Sequence, residues 1–317
     1  MASHLDRYAI ESQLPHRFEN MLLDTVTISD ESAAKGSFSL TVTESDELNR
    51  SLFYRRTLEG HSVIISPVLM EILALASIVS GGGVKDDEIL FYAGIRNFVM
   101  TQLSLLGDEM IGSVQKEAQK GPFIQFSGCV KSGGQDIASG AMTAFVAKQS
   151  SVSGEKAPQS TAIFEYPKTV HLEKDLVSFP KSPDMIAIDR LVHMDLEAQY
   201  AIGEYEYPLS HPLIRGHFPG LPVMMGVMQM IAVEDLCMLV LRHIPPTDYT
   251  QITCDAEIKG KDGRLIADMK GLILHIEHDA YAAPFYVVMT SAKKVTFKNR
   301  VSPSDFISIH LNSLSFS

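Results

Sequence analysis

The chain contains no tryptophan, has three cysteines among 317 residues, and holds no uninterrupted apolar run of bilayer-spanning length. The missing tryptophan decides nothing. Cys129, Cys237 and Cys254 are too few and too scattered for a disulfide framework or a thiolate metal site, and fit a reducing compartment. The most apolar runs, 68–80 and 223–240, are short or are broken by Glu234 and Asp235. The first twenty residues carry charges throughout and lack the apolar core of a signal peptide. A cytoplasmic protein without membrane insertion is therefore expected. Positive charge is scarce too: 27 Lys and Arg stand against 38 Asp and Glu, a net charge of −11. That balance excludes a general nucleic-acid surface, and any acidic partner must find a local basic patch. What remains, 45% hydrophobic and 21% charged residues, is ordinary globular composition. At this length two domains or one double-sized fold is expected.

The chain is organised around His211 to Asp235, HPLIRGHFPGLPVMMGVMQMIAVED. The glycines and prolines at 216, 219, 220 and 222 fix the loop, because proline locks φ and glycine accepts conformations other residues avoid. His217 thus sits on a rigid platform beside a Met-rich apolar helix, expected from Leu221 or Gly226 to about His243. Taken alone, a histidine in such a loop is more often a capping or packing residue than a catalyst. The spacing of His217-Phe218-Pro219-Gly220, Pro222-Val223 and Gly226, however, resembles the motif of the hotdog-fold β-hydroxyacyl-acyl carrier protein dehydratases. The match over 217–227 departs at Met225, where that family usually has proline.

An internal repeat accompanies the motif. Leu14 to Asp24, LPHRFENMLLD, compares with Phe179 to Asp189, FPKSPDMIAID, and the first version also resembles the opening of the same family. Each copy leads to strand-like sequence, 37–43 in one half and 200–207 in the other, and then to an apolar helix. In the first half the helix is expected over 66–80, with Ser66 as N-cap, Pro67 at the first helical position and Gly81 to Gly83 stopping it. In the second, Pro245-Pro246 ends the helix. Strands at 95–105, 110–118, 123–131 and 137–147 follow in the first half, with turns at Gly107-Asp108 and Ser132 to Gly134. The second half places its comparable turn late, at Ser304-Asp305, and an extra hairpin early, at Lys261 to Arg264. Around that hairpin Ile258-Lys259 and Ile266-Ala267 echo Val130-Lys131 and Ile137-Ala138. Rearranged strand order and an inserted hairpin both satisfy this pattern. The expected fold is α+β, a double hotdog of two tandem units, each an antiparallel sheet wrapped around a long central helix. The units are 1–147 and 163–317, joined by a Ser, Lys, Pro and Gly-rich linker at 148–162.

The resemblance implies that His217 works with a carboxylate on the central helix of a neighbouring unit. The acid position of its own helix holds Ile231, which cannot exchange protons. In the first half the corresponding helix offers Glu71, while the matching histidine position holds Thr57. A register shifted by one would put Ile72 at the acid position. Physical chemistry favours Glu71, the only formally charged residue between Glu59 and Lys85, in the middle of an apolar helix. Its spacing from Ser66 is wrong for a capping box, and burial would raise its pKa and keep it a proton donor. The bland alternative is a glutamate reaching the surface or bridging a structural cation. The arrangement resembles the tandem dehydratases of polyketide and polyunsaturated fatty-acid synthases. It implies one composite site holding His217 and Glu71, and a chemically empty mirror site holding Thr57 and Ile231.

What the resemblance implies is removal of water from a 3-hydroxyacyl thioester, with His217 as base, Glu71 as acid and the Gly226 N–H as oxyanion donor. Phe218, Met224, Met225 and Met228 are candidate walls for the acyl chain, although a Met stripe at helical spacing is more often core. Arg215 is a candidate contact for a carrier phosphate, or simply a solvated surface arginine. Glu234 and Asp235 offer a rival acid in another register, or a solvent-facing or interfacial patch. His211 and His217 lack carboxylates at metal-ligand spacing, so no metal and no cofactor is expected. The implied partner is an acyl carrier protein bearing a phosphopantetheine-linked chain, and a homodimer of double hotdogs is one arrangement the resemblance allows. Two other classes stay open: a hotdog thioesterase, and a non-catalytic acyl-carrier binder motivated by Met225, by Ile231 and by Leu75, which stands where that family usually has a glutamine one turn after its acid.

Overall fold

The computed structural model describes all residues except Met1, Asp86, 149–169, Pro246, Thr247, Ala280 and Tyr281. The expected linker at 148–162 lies outside the described residues apart from Lys148, as does Pro246 of the expected helix stop. Two long apolar helices, α2 (Val68–Ser80) and α3 (Gly226–Leu241), run beneath one continuous antiparallel sheet of fourteen strands. Every residue of α2 is buried, and so is every residue of α3 after Gly226. A helix apolar on all sides belongs inside a wrap of sheet, and this is how each half is built. The result is a double hotdog.

The first half supplies β1 (Ser3–Asp6), a short helix α1 (Arg7–Gln13), β2 (Thr25–Asp30), β3 (Lys35–Thr41), then β6 (Glu88–Met100), β7 (Glu109–Lys120), β8 (Phe123–Ser132) and β9 (Gln135–Lys148). A separate two-stranded piece, β4 (Tyr54–Arg56) with β5 (Ser62–Ile64), precedes α2. The second half supplies β10 (Leu172–Glu173), β11 (Arg190–Asp195), β12 (Tyr200–Glu206), β13 (Gln251–Gly260), β14 (Leu265–Asp279), β15 (Ala282–Phe297) and β16 (Phe306–Phe316). The halves join edge to edge where β6 pairs antiparallel with β15, from Val99 opposite Ser291 to Gly94 opposite Thr296.

Outward from this seam the first half runs β6, β9, β8, β7, β3, β2, β1, and the second runs β15, β14, β13, β16, β12, β11, β10. The positions correspond one to one, but the chain visits them in a different order. In the first half the seam strand follows the helix directly. In the second the hairpin β13–β14 comes first and the seam strand third. The early hairpin at Lys261 to Arg264 is thus the spatial counterpart of the β8–β9 hairpin. The second half has rearranged strand order rather than an insertion.

The internal repeat has matching hydrogen bonds. Asp24 accepts the Thr41 N–H at 2.7 Å, and Asp189 accepts the Glu206 N–H at 2.8 Å, each at the end of the third strand of its half. Two local expectations change and a third is narrowed. The Ser66 hydroxyl does not cap α2, which begins behind Pro67 without a side-chain cap. It donates instead to Glu234 at 3.2 Å, because a buried carboxylate competes strongly for a nearby donor. Strand β6 starts at Glu88 rather than Ile95, since β9 pairs with it from Lys148 inward. Helix α3 begins at Gly226, the later of the two expected starts.

Candidate active site

His217 stands between a short 3-10 turn (Pro212–Arg215) and the start of α3. The loop owes its place to the N-terminal segment packed over it. The Arg17 N–H donates to the Gly216 carbonyl at 3.1 Å, and Asn20 donates to the Leu213 carbonyl at 3.2 Å. A side chain at Gly216 would collide with the Arg17 carbonyl and the Asn20 amide, so only glycine permits this approach. Arg215, expected to be solvated or to meet a phosphate, clamps the buried Glu19 carboxylate with two hydrogen bonds, at 2.7 and 3.2 Å. It also lies over the Phe18 ring at 4.5 Å.

The consequence of this packing is a cluster. His217 from the second half, and Glu71 and His16 from the first, lie with their ligand-capable atoms all within 4.8 Å of one another, and all three are buried. The His217 Nδ1 hydrogen-bonds the Val223 carbonyl at 3.0 Å, so this nitrogen carries the proton and Nε2 is left as an acceptor. The ring stacks on Phe218 with centroids 4.3 Å apart. His16 Nε2 is 3.8 Å from Glu71 Oε1, and the His16 and His217 rings are 5.1 Å apart. His16 Nδ1 and Glu71 Oε2 have no hydrogen-bond partner. An unmade hydrogen bond on a buried polar group costs about 1–3 kcal/mol, a penalty tolerated mainly where a ligand or water satisfies it.

Burial dominates the electrostatics. It raises the Glu71 carboxyl to about 8 and lowers the His217 imidazole to about 4, the latter partly opposed by the hydrogen bond to Val223. Burial, then His217 and Arg17, hold His16 well below the usual histidine range. Near neutral pH all three groups are therefore uncharged, the carboxyl keeping its proton and the imidazoles lacking a second one.

The cluster opens into a cavity of about 570 Å³. Phe91, Phe123, Phe145 and Phe218 contribute an aromatic wall, while Arg264, Lys298 and Arg300 bring positive charge to another part of the lining. Gly226 and Met224 line it as expected, and a Cβ on Gly226 would come within 2.9 Å of the Phe297 ring. Met225 and Met228 are absent from this lining. Both are 1% exposed and belong to the main hydrophobic core, the ordinary fate of Met at helical spacing. His16 was not identified as a site residue in the sequence, although the Pro15-His16-Arg17 run at the head of the repeat was the available signal.

The mirror position departs from expectation. Thr57 and Ile231 hold no proton donor pair, but the surroundings are far from chemically empty. Lys181, the repeat counterpart of His16, reaches Asp235 at 2.6 Å, with both side chains almost fully buried. Asp235 also accepts the Ala187 N–H at 2.7 Å. Glu234 accepts the Met289 N–H at 2.6 Å, and Arg55 reaches Glu277 at 3.4 Å. Glu234 and Asp235 are therefore buried rather than solvent-facing, with Ser66 of the first half donating to Glu234 at 3.2 Å, the interfacial one of the expected alternatives, and neither belongs to the cluster of His16, Glu71 and His217. Burial raises both carboxyls, opposed in each case by Lys181. His211 also stays outside the cluster: its Nδ1 accepts the Leu213 N–H at 3.3 Å, and its ring packs on Tyr207.

No family model matches this chain. Over 69 residues it is 36% identical to the 3-hydroxyacyl-[acyl-carrier-protein] dehydratase FabZ of Xanthomonas campestris pv. campestris (strain B100), covering 22% of this chain and 44% of that protein. It is 35% identical over 65 residues to the enzyme of the same name from Xanthomonas oryzae pv. oryzae (strain PXO99A), covering 20% and 41%. The chain thus spans less than half the length of the curated relatives it matches. Among solved structures it is similar to the dehydratase domain of RzxB from Pseudomonas fluorescens, with 12% identity, 92% of this chain and 98% of that one covered, and a TM-score of 0.44. The PpsC dehydratase domain from Mycobacterium tuberculosis, in a variant form, gives 13% identity, 88% and 98% coverage, and a TM-score of 0.45. Among the described residues, no helix is long and apolar enough to cross a membrane.

Proposed function

We propose that this chain removes water from a 3-hydroxyacyl thioester to give the 2-enoyl thioester, using one composite site built from both halves. The division of labour follows the division of the chain that we propose, residues 1–147 and 163–317. The observation that carries the reading is that a neutral imidazole of one half and a protonated carboxyl of the other lie within 4.8 Å at the wall of one cavity. The printed names of the curated relatives support the same chemistry.

The steps follow from the protonation states. His217 Nε2 takes the α-proton of the substrate, and the enolate charge grows on the thioester oxygen near the N-terminal end of α3 at Gly226, where the helix dipole favours negative charge. Glu71 gives its proton to the β-hydroxyl, the C–O bond breaks, and water leaves as the double bond forms. Imidazolium and carboxylate then face each other as a neutral pair, so the buried site gains no net charge. Proton transfer from His217 to Glu71, directly or through water, restores both groups. The aromatic wall suits an acyl chain, and the basic residues of the lining suit the phosphate of a pantetheine arm, so an acyl carrier protein is the partner we propose.

The test is incubation with a 3-hydroxyacyl thioester while enoyl absorbance and free thiol are followed. Enoyl product supports the reading. Free thiol without enoyl product would mark a thioesterase, and neither signal would mark a binder.

A further inference from the structure

We propose that His16, Glu71 and His217 also form a binding site for a divalent transition ion of the zinc class, which competes with substrate for the cavity. The metal-binding part stands on geometry alone, while the competition rests on the dehydratase reading.

Two imidazoles and one carboxylate form a donor set typical of zinc sites that keep an open position, the Glu71 carboxyl releasing its proton to solvent as the ion binds. Their donor atoms lie within 4.8 Å of one another, and His16 Nε2 and Glu71 Oε1 are 3.8 Å apart. A tetrahedral ion with bonds of about 2.0–2.1 Å needs neighbouring donors roughly 3.3 Å apart, so the cluster must contract around the ion. Two of the three side chains are free to do so. His16 Nδ1 and Glu71 Oε2 have no hydrogen-bond partner, and the Nε2 to Oε1 separation is too long for a hydrogen bond. His217 is already set as a ligand. Its Nδ1 proton is held by the Val223 carbonyl, the outer contact that fixes ring orientation in metal-bound histidines and presents Nε2 to the ion. The adjoining cavity leaves the remaining coordination positions to water.

The mirror position lacks this capacity although it is richer in charge. Lys181 replaces His16, is not a ligand while protonated, and occupies Asp235 at 2.6 Å. Donor character, not total charge, separates the two places.

The experiment is titration of the chelator-treated 317-residue chain with Co²⁺, read by visible absorption, together with X-ray absorption of the Zn²⁺-loaded protein. The expected result is one ion per chain, cobalt bands of four- or five-coordinate intensity, and a zinc shell containing two imidazoles. His16→Gln, Glu71→Gln and His217→Gln, each checked for folding by circular dichroism, should each weaken binding at least tenfold, while His211→Gln leaves it unchanged. No zinc retained after gel filtration, an all-oxygen shell, or full binding in the folded His16→Gln variant would overturn the proposal. Should a variant fail to fold, the X-ray absorption of the unaltered chain decides. Metal binding without dehydration would sink only the functional reading, and dehydration without metal binding would sink only this one.

Discussion

The two places where the halves face each other share a scaffold and differ in what their polar groups are given to do. On one side His16, Glu71 and His217 are buried with two atoms unpartnered and a cavity beside them. On the other, Lys181 and Asp235 satisfy each other at 2.6 Å and Glu234 is held by backbone and hydroxyl donors, while Arg55 reaches Glu277 through Nη2 and leaves Nε and Nη1 without partners. A buried group already matched to a protein partner contributes to one packed arrangement and has little left for a substrate. A buried group left unmatched is destabilising by itself and available for chemistry. Between the acids of the two places, Glu71 on one side and Glu234 and Asp235 on the other, the difference thus lies in satisfaction, not in burial.

The largest expected effect that would sharpen this contrast is on turnover. His217→Gln and Glu71→Gln should each lower kcat of the dehydration assay about 10²–10⁴-fold, the usual worth of a positioned acid or base. Next is stability at the other place. Lys181→Met leaves the Asp235 carboxylate buried without its cation and should cost about 3–5 kcal/mol in denaturant unfolding. Lys181→Met combined with Asp235→Leu should recover most of that loss, with kcat of the folded variant in the dehydration assay unchanged. If Lys181→Met lowered kcat as severely as His217→Gln, the contrast would break.

The pH dependence is a third expectation, read in chelator. The proposed mechanism requires Glu71 protonated and His217 neutral, so kcat/KM should be flat from about 4 to about 8 and fall on both sides. The same shifts act on stability. The Glu71 pKa is raised above its usual 4.5, so its contribution is intact below that value and is lost as pH rises toward 8. The His217 pKa is lowered from 6.5, so its contribution is intact above that value and is lost as pH falls toward 4. Glu71→Gln should therefore remove the alkaline loss, by on the order of a few kcal/mol near pH 8. The smallest effect is expected for Ile231→Val, about 0.5–1.5 kcal/mol in unfolding free energy with kcat unchanged, because that side chain is fully buried in the core.

Much of this was legible in the sequence because it is written locally. The Pro and Gly pattern around His217, the apolar helices and the turn residues at 107–108, 132–134 and 261–264 each announce their element within a few positions. The composite pairing of His217 with Glu71 was reached through the family resemblance and the oddity of one carboxylate in an apolar helix. His16 was missed because its role depends on three segments meeting, and nothing within the sequence neighbourhood of any one shows the other two. The ion pair of Lys181 with Asp235 was missed for the same reason. Strand order in the second half is not legible in the sequence, since alternating residues say that a strand exists and not which edge it joins. Met225 and Met228 were misplaced as chain-lining residues because helical spacing does not reveal which side of the helix meets a cavity.

The most direct test of the central claim, that His217 and Glu71 act as one unit across the seam, is a double-mutant cycle on kcat. If they share one site, the His217→Gln and Glu71→Gln double variant will be about as slow as the slower single variant, since removing either partner disables the other. Losses that multiply, with the double variant slower by the product of the two single factors, would mean that the two side chains work independently and would contradict the account.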